Sequence, residues 1–143
     1  MRHLLDINVL IALMDPDHAF HQRAHAWWAA QPRAWASCPL TENGLLRIMA
    51  ASGYSNNARF TIQDIGQRLA HFANTTDHAF WPDSLTLRDT RHFRFAAMLS
   101  SRHLTDLYLL ALAVDNQGCL ITFDTHIPLS AVPTATTAQL QVI

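Results

Sequence analysis

The chain has 143 residues, of which 50% are hydrophobic and 15% charged, and its net charge is -1. That balance suits a single domain over residues 1–143 with a core of its own. It excludes a protein that grips nucleic acid through a broad basic field. The ten basic residues are all arginine, which leaves room for a local patch of bidentate phosphate contacts. The two cysteines, Cys38 and Cys119, are too few and too far apart for a disulfide framework. They read as small buried hydrophobes of a reduced, cytoplasmic protein. No run reaches the ~18 apolar residues of a membrane span. Asp6 and Asn8 interrupt the apolar N-terminus before any signal-peptide pattern is complete.

Taken in chain order, His3-Leu4-Leu5-Asp6 reads as a short central strand, because an apolar run without alternation suits a strand covered on both faces. Asp6 then ends that strand, at the position where open α/β sheets gather their chemistry. A helix over Asn8–Leu13 follows, with Asn8 the expected cap by residue type and Asp6 the alternative. Asp15-Pro16-Asp17 is a turn, and Asp17 or His18 opens a second helix that ends at the Gln31-Pro32 break. Trp27 and Trp28 on that helix read as core. Residues 33–38 form the second parallel strand, and Pro39-Leu40-Thr41-Glu42 starts a third helix that runs to Ala51. Glu42 is the only glutamate in the chain. It stands just past a strand, in the first turn of a helix, where the helix dipole favours a negative charge.

Thr61-Ile62-Gln63-Asp64 has the form of a capping box and opens a helix to Phe72. His78–Trp81 reads as a strand closed by Pro82, then a brief helix from Asp83-Ser84 and a longer one over Thr90–Ser100. Arg91 and Arg94 on the longer helix read either as a solvated face or as phosphate contacts. Leu104-Thr105-Asp106 precedes a strongly periodic helix, with Gly118 as its left-handed stop. Cys119–Phe123 is a buried strand that ends at Asp124. Ala131-Val132 and Leu140–Ile143 suggest short edge strands.

Asp6, Glu42, Asp106 and Asp124 therefore each stand at a strand exit or a helix start. In a parallel sheet with right-handed crossovers these ends converge on one edge. Packed together, such carboxylates repel one another, and a hard divalent cation removes the penalty. Mg²⁺ or Mn²⁺ held by oxygen ligands points to hydrolysis of a phosphodiester or a phosphomonoester. The sequence holds no HExxH, no zinc-spaced Cys/His set, no GxSxG and no P-loop. It also lacks the lysine that receiver domains and haloacid-dehalogenase-type phosphatases bring to a phosphoryl group.

The blocks Leu4-Leu5-Asp6-Ile7-Asn8-Val9-Leu10, Thr41-Glu42 with Gly44-Leu45-Leu46-Arg47, Leu104–Ala113 and Thr122-Phe123-Asp124 resemble, in order and spacing, the PIN-domain family. Within it they resemble the VapC-type toxin ribonucleases. The resemblance implies a three-layer α/β/α fold with a mainly parallel central sheet. It implies a Mg²⁺- or Mn²⁺-dependent endoribonuclease with Asp6, Glu42 and Asp106 as principal metal ligands and Asp124 completing the set directly or through water. Asn8 and Thr122 would orient waters or carboxylates. It further implies a homodimer neutralised by a small cognate antitoxin, which contacts operator DNA on the toxin's behalf. Arg47 would face either substrate or solvent. A non-catalytic PIN-like RNA-binding or scaffold module is the alternative, and a metal-dependent phosphatase is a weaker one.

Overall fold

The apolar N-terminal run lies in the middle of a sheet, as its lack of alternation predicts. A computed structural model describes residues 1–31 and 33–143. The elements are β1 (His3–Leu5), α1 (Ile7–Met14), α2 (His21–Ala30), β2 (Ala34–Ser37), α3 (Pro39–Met49), α4 (Ile62–Thr75), β3 (Asp77–Phe80), α5 (Leu104–Asp115), β4 (Cys119–Thr122) and β5 (Leu140–Val142). All strand pairs are parallel, in the order β3-β2-β1-β4-β5. Successive residues of β1 divide the core between the two faces of this sheet. Leu4 packs with Leu109, Leu112 and Leu120 on the α5 side. Leu5 packs with Leu10, Trp35, Leu45 and Ile65 on the side of α1 to α4. The fold is thus a three-layer α/β/α arrangement, as expected.

Helix α1 is short and buried over Val9–Leu13, so packing rather than propensity holds it. Its N-cap is Asp6, whose side chain accepts from the Ile7 backbone; Asn8 lies exposed inside the first turn and does not cap. Asn8 was the expected cap by type, but the strand end decides it, because Asp6 is the last residue before the turn. Helix α3 crosses α1 closely at Gly44, where a Cβ would lie 2.7 Å from Ile7 Cγ1. Helix α4 starts with the predicted capping box, Thr61 and Asp64 each bonding the other's backbone N–H. Helix α2 starts at His21, later than expected, since His18 N–H and His21 N–H close successive turns on Asp15 and His18 carbonyls. Gln31 is extended; Pro32, the other half of the predicted break, lies outside the described residues.

Four further expectations fail. The brief helix from Asp83 and the longer one over 90–100 are not present; turns and one 3-10 turn, Phe95–Ala97, replace them. Tertiary contacts override local propensity here: Phe93 is buried against Tyr108, and Arg94 N–H donates to the Ala131 carbonyl. Ala131-Val132 is likewise no strand: Ala131 closes a 3-10 turn, Leu129–Ala131, and Val132 follows it, while the predicted C-terminal edge strand is β5. Finally, the left-handed residue after α5 is Gln117, at φ 55°, and Gly118 is not left-handed. Gly118 instead permits close packing: a Cβ there would lie 2.7 Å from the Arg2 carbonyl oxygen and 2.5 Å from Trp81 Cη2.

Replacing Gly118 by Ala is therefore expected to destabilise the protein by about 1–3 kcal/mol through overpacking. Denaturant unfolding of the variant checks this, and wild-type stability would contradict it.

Candidate functional site

The register of the two central strands sets the site. Leu5 pairs with Ile121, so the next residues, Asp6 and Thr122, stand side by side at the strand ends. Asp6 is 5% exposed, and both of its carboxylate oxygens are held. Oδ1 accepts from the Ile7 N–H at 2.6 Å, and Oδ2 accepts from the Thr122 hydroxyl at 2.8 Å. Burial pushes the Asp6 carboxyl up to about 6. The Thr122 hydrogen bond works against that rise, and the neighbouring charges of Asp106 and Asp124 add to it. Thr122 Oγ1 in turn accepts from the Asp124 N–H at 3.0 Å, so one buried hydroxyl links two of the acidic residues.

Asp106 stands in the first turn of α5. His103, one helical turn earlier, brings its Nδ1 within 3.5 Å of Asp106 Oδ2 and 3.5 Å of Asp124 Oδ2. That nitrogen is buried and makes no hydrogen bond among the described residues. One ligand atom from each of His103, Asp106 and Asp124 falls within 4.8 Å of the others. Burial raises the Asp106 carboxyl above its ordinary value; His103 lowers it and Asp124 raises it. The ion pairs of the described arginines go to Asp77 and Asp89, not to these groups. A cluster of carboxylates without a guanidinium partner, next to an unsatisfied nitrogen, is a donor set that fits a divalent cation.

Neither Asp6 nor Glu42 is one of those three residues, so the structure gathers a His/Asp/Asp set and not the four expected carboxylates. Glu42 lies in the first turn of α3, as expected, but its Oε1 accepts from the Ser37 hydroxyl at 2.6 Å. Ser37 Oγ also lies 2.8 Å from His78 Nε2. Three of the four predicted carboxylates thus influence one another, and the fourth is tied to β2 and β3. Asn8 is exposed on α1. Arg47 is exposed on α3, Arg94 is exposed beyond the sheet, and Arg91 pairs with Asp89 at 2.6 Å. His103, Ser37 and His78 were not anticipated. His103 had a usable signal, its place three residues before Asp106, just ahead of the helix. His78 had none, because only strand pairing brings it to Ser37.

Residues 3–133 match the PIN domain. The chain belongs to the PIN-domain family. Over 141 residues it is 41% identical to Ribonuclease VapC44 of Mycobacterium tuberculosis strain H37Rv, covering 98% of each chain. It is 36% identical over 124 residues to Ribonuclease VapC29 of the same strain, covering 87% of this chain and 86% of the relative. Ribonuclease VapC39 is 36% identical over 132 residues, covering 92% and 94%.

In this PIN domain the acidic group is flanked on two sides. Phe123, between Thr122 and Asp124, packs on Phe20 with ring centroids 4.8 Å apart, and the Arg23 guanidinium lies over both rings. Beyond Asp106, Leu104, Thr105 and Tyr108 of α5 face Leu40, Leu85 and Thr86 across a cleft of about 570 Å³. No helix among the described residues is long and apolar enough to cross a membrane.

The raised Asp6 carboxyl has a defined consequence for the metal-free protein. Between about pH 4 and 6 the folded state holds a proton that the unfolded state has released. Stability from this group is therefore full below about pH 4 and is lost as pH rises toward 6. Asp6→Asn is expected to flatten that slope and to stabilise the metal-free protein at pH 7. Melting temperatures across pH 4–8 check both.

Proposed function

We propose that this PIN domain is a Mg²⁺- or Mn²⁺-dependent endoribonuclease, the toxin of a toxin–antitoxin pair. One observation carries the reading: His103, Asp106 and Asp124 each bring a ligand atom within 4.8 Å of the others, and Asp6 is joined to Asp124 through Thr122. The supporting likeness is to proteins named ribonucleases, over nearly the full chain. Asp6, Glu42 and Asp106 would be the principal metal ligands, with Asp124 bound directly or through water. A cation held there would offset charge on the scissile phosphate and make water a better nucleophile.

The chain's own residues supply orientation. Thr122 fixes the Asp6 oxygen that faces it and the Asp124 backbone. Asn8 would orient water. Attack on phosphorus with loss of the 3′ oxygen would leave 5′-phosphate and 3′-hydroxyl ends. The partners that follow from this reading are an RNA substrate, a second copy of the chain, and a small antitoxin whose basic residues complement the acidic edge. Operator DNA would be met only through that antitoxin, in the cytoplasm.

Purified protein is expected to cleave RNA with added Mg²⁺ or Mn²⁺, to stop with chelator, and to lose activity as Asp106→Asn. Glu42→Gln should still bind RNA but cut it at least about tenfold more slowly, the scale of loss expected when a group that acts in the transition state is removed. Sequencing of the cut ends checks the chemistry. Cleavage that survives chelation would overturn the metal-dependent reading.

A further inference from the structure

Two side chains, His78 and Ser37, link the edge strand to Glu42. Ser37 ends β2, fully buried, with its hydroxyl 2.6 Å from Glu42 Oε1 and 2.8 Å from His78 Nε2. The two contacts have only one consistent direction. A carboxylate only accepts, so the Ser37 hydroxyl donates its single proton to Glu42. Ser37 Oγ must then accept from His78, which assigns the ring proton to Nε2. The result is a directed chain, His78 N–H to Ser37 O–H to the Glu42 carboxylate. Ser37 engages Oε1 and leaves Oε2 for a further ligand.

The histidine is itself fixed. Its ring packs on Trp35 with centroids 4.4 Å apart, and Trp35 Nε1 donates to Thr76 Oγ1 at 2.8 Å. Trp35 and His78 are register partners in β2 and β3. Ser37 lies two residues beyond Trp35 and so faces the same side of the sheet. At the other end of the pairing, Arg2 donates to the Trp35 and Asp77 carbonyls at 3.0 and 2.9 Å. An edge strand is thereby clamped and made to present one N–H donor to the base of α3.

We infer that His78 and Ser37 are positioning residues that orient Glu42 for cation binding, acting through the Glu42 Oε1 contact. The inference rests on the reading of Glu42 as a metal ligand. Its physical content is pre-organisation: a glutamate side chain has three rotatable bonds, and the relay selects one orientation before the cation arrives. Partners of this kind, one bond removed from a metal ligand, typically change metal affinity by 10- to 100-fold when lost.

The test measures Mn²⁺ affinity by calorimetry and RNA cleavage on the full chain, with thermal unfolding as the control for folding. Ser37→Ala and His78→Phe are each expected to weaken Mn²⁺ binding by about 10- to 100-fold. His78→Phe keeps an aromatic ring against Trp35 but has no donor. His78→Gln retains an N–H at a comparable reach and is expected to recover most of the affinity, which a purely structural role for the ring would not produce. Wild-type Mn²⁺ affinity in Ser37→Ala and His78→Phe, alongside loss in Glu42→Gln, would overturn the relay and leave the metal reading standing. Wild-type affinity in Glu42→Gln would overturn both. Weakened binding in all three, with no recovery in His78→Gln, would also reject the donor role assigned to His78.

Discussion

A single buried carboxylate organises this protein. Asp6 is held between the ends of two central strands, with one oxygen on the first N–H of α1 and the other on the Thr122 hydroxyl. Those two bonds tie the start of α1 and the end of β4 to the end of β1. They satisfy the oxygens without cancelling the charge, and burial with two acidic neighbours makes that charge unfavourable. The site is thus built at the expense of local stability, a common condition of functional sites. The neighbouring donor set of His103, Asp106 and Asp124 could hold a divalent cation.

The other acidic residues follow one rule with different outcomes. Glu42 and Asp106 both occupy the first turn of a helix, where backbone N–H groups favour negative charge. The rule explains why carboxylates gather at this edge of a parallel sheet, since helices that follow its strands begin there. It does not say which way each side chain turns. Asp106 turns toward Asp124 across His103, and Glu42 turns toward Ser37. The difference lies in the neighbours: α5 packs over β4, whereas the start of α3 follows directly from the end of β2.

Periodicity made most of the architecture legible. The unalternating runs Leu4-Leu5 and Leu120-Ile121 became central strands, and the apolar repeat after Asp106 became a helix buried over Leu107–Ala113. The capping box at Thr61 worked because it is a purely local device, complete within four residues. Residues 83–100 were misread for the opposite reason. Their polar and apolar residues have helical spacing, but Phe93 and Arg94 are recruited by Tyr108 and Ala131, partners that spacing cannot reveal. Gly118 was misread in kind. It is required by the approach of Trp81 and the Arg2 backbone, contacts remote in sequence, and the left-handed turn falls to Gln117.

By itself, the sequence determined the parallel α/β layering, the positions of the strand ends, and the acidic residues those ends carry. These depend on hydrophobic period and on which residue follows an apolar run, both local properties. Only the tertiary structure decided how the acidic residues are shared out. Strand register set Asp6 beside Thr122, helix packing brought His103 between Asp106 and Asp124, and an edge strand delivered His78 to Ser37 and so to Glu42. Hydrogen bonds and charge interactions act over a few ångströms between groups up to 116 positions apart, and no local pattern encodes that distance.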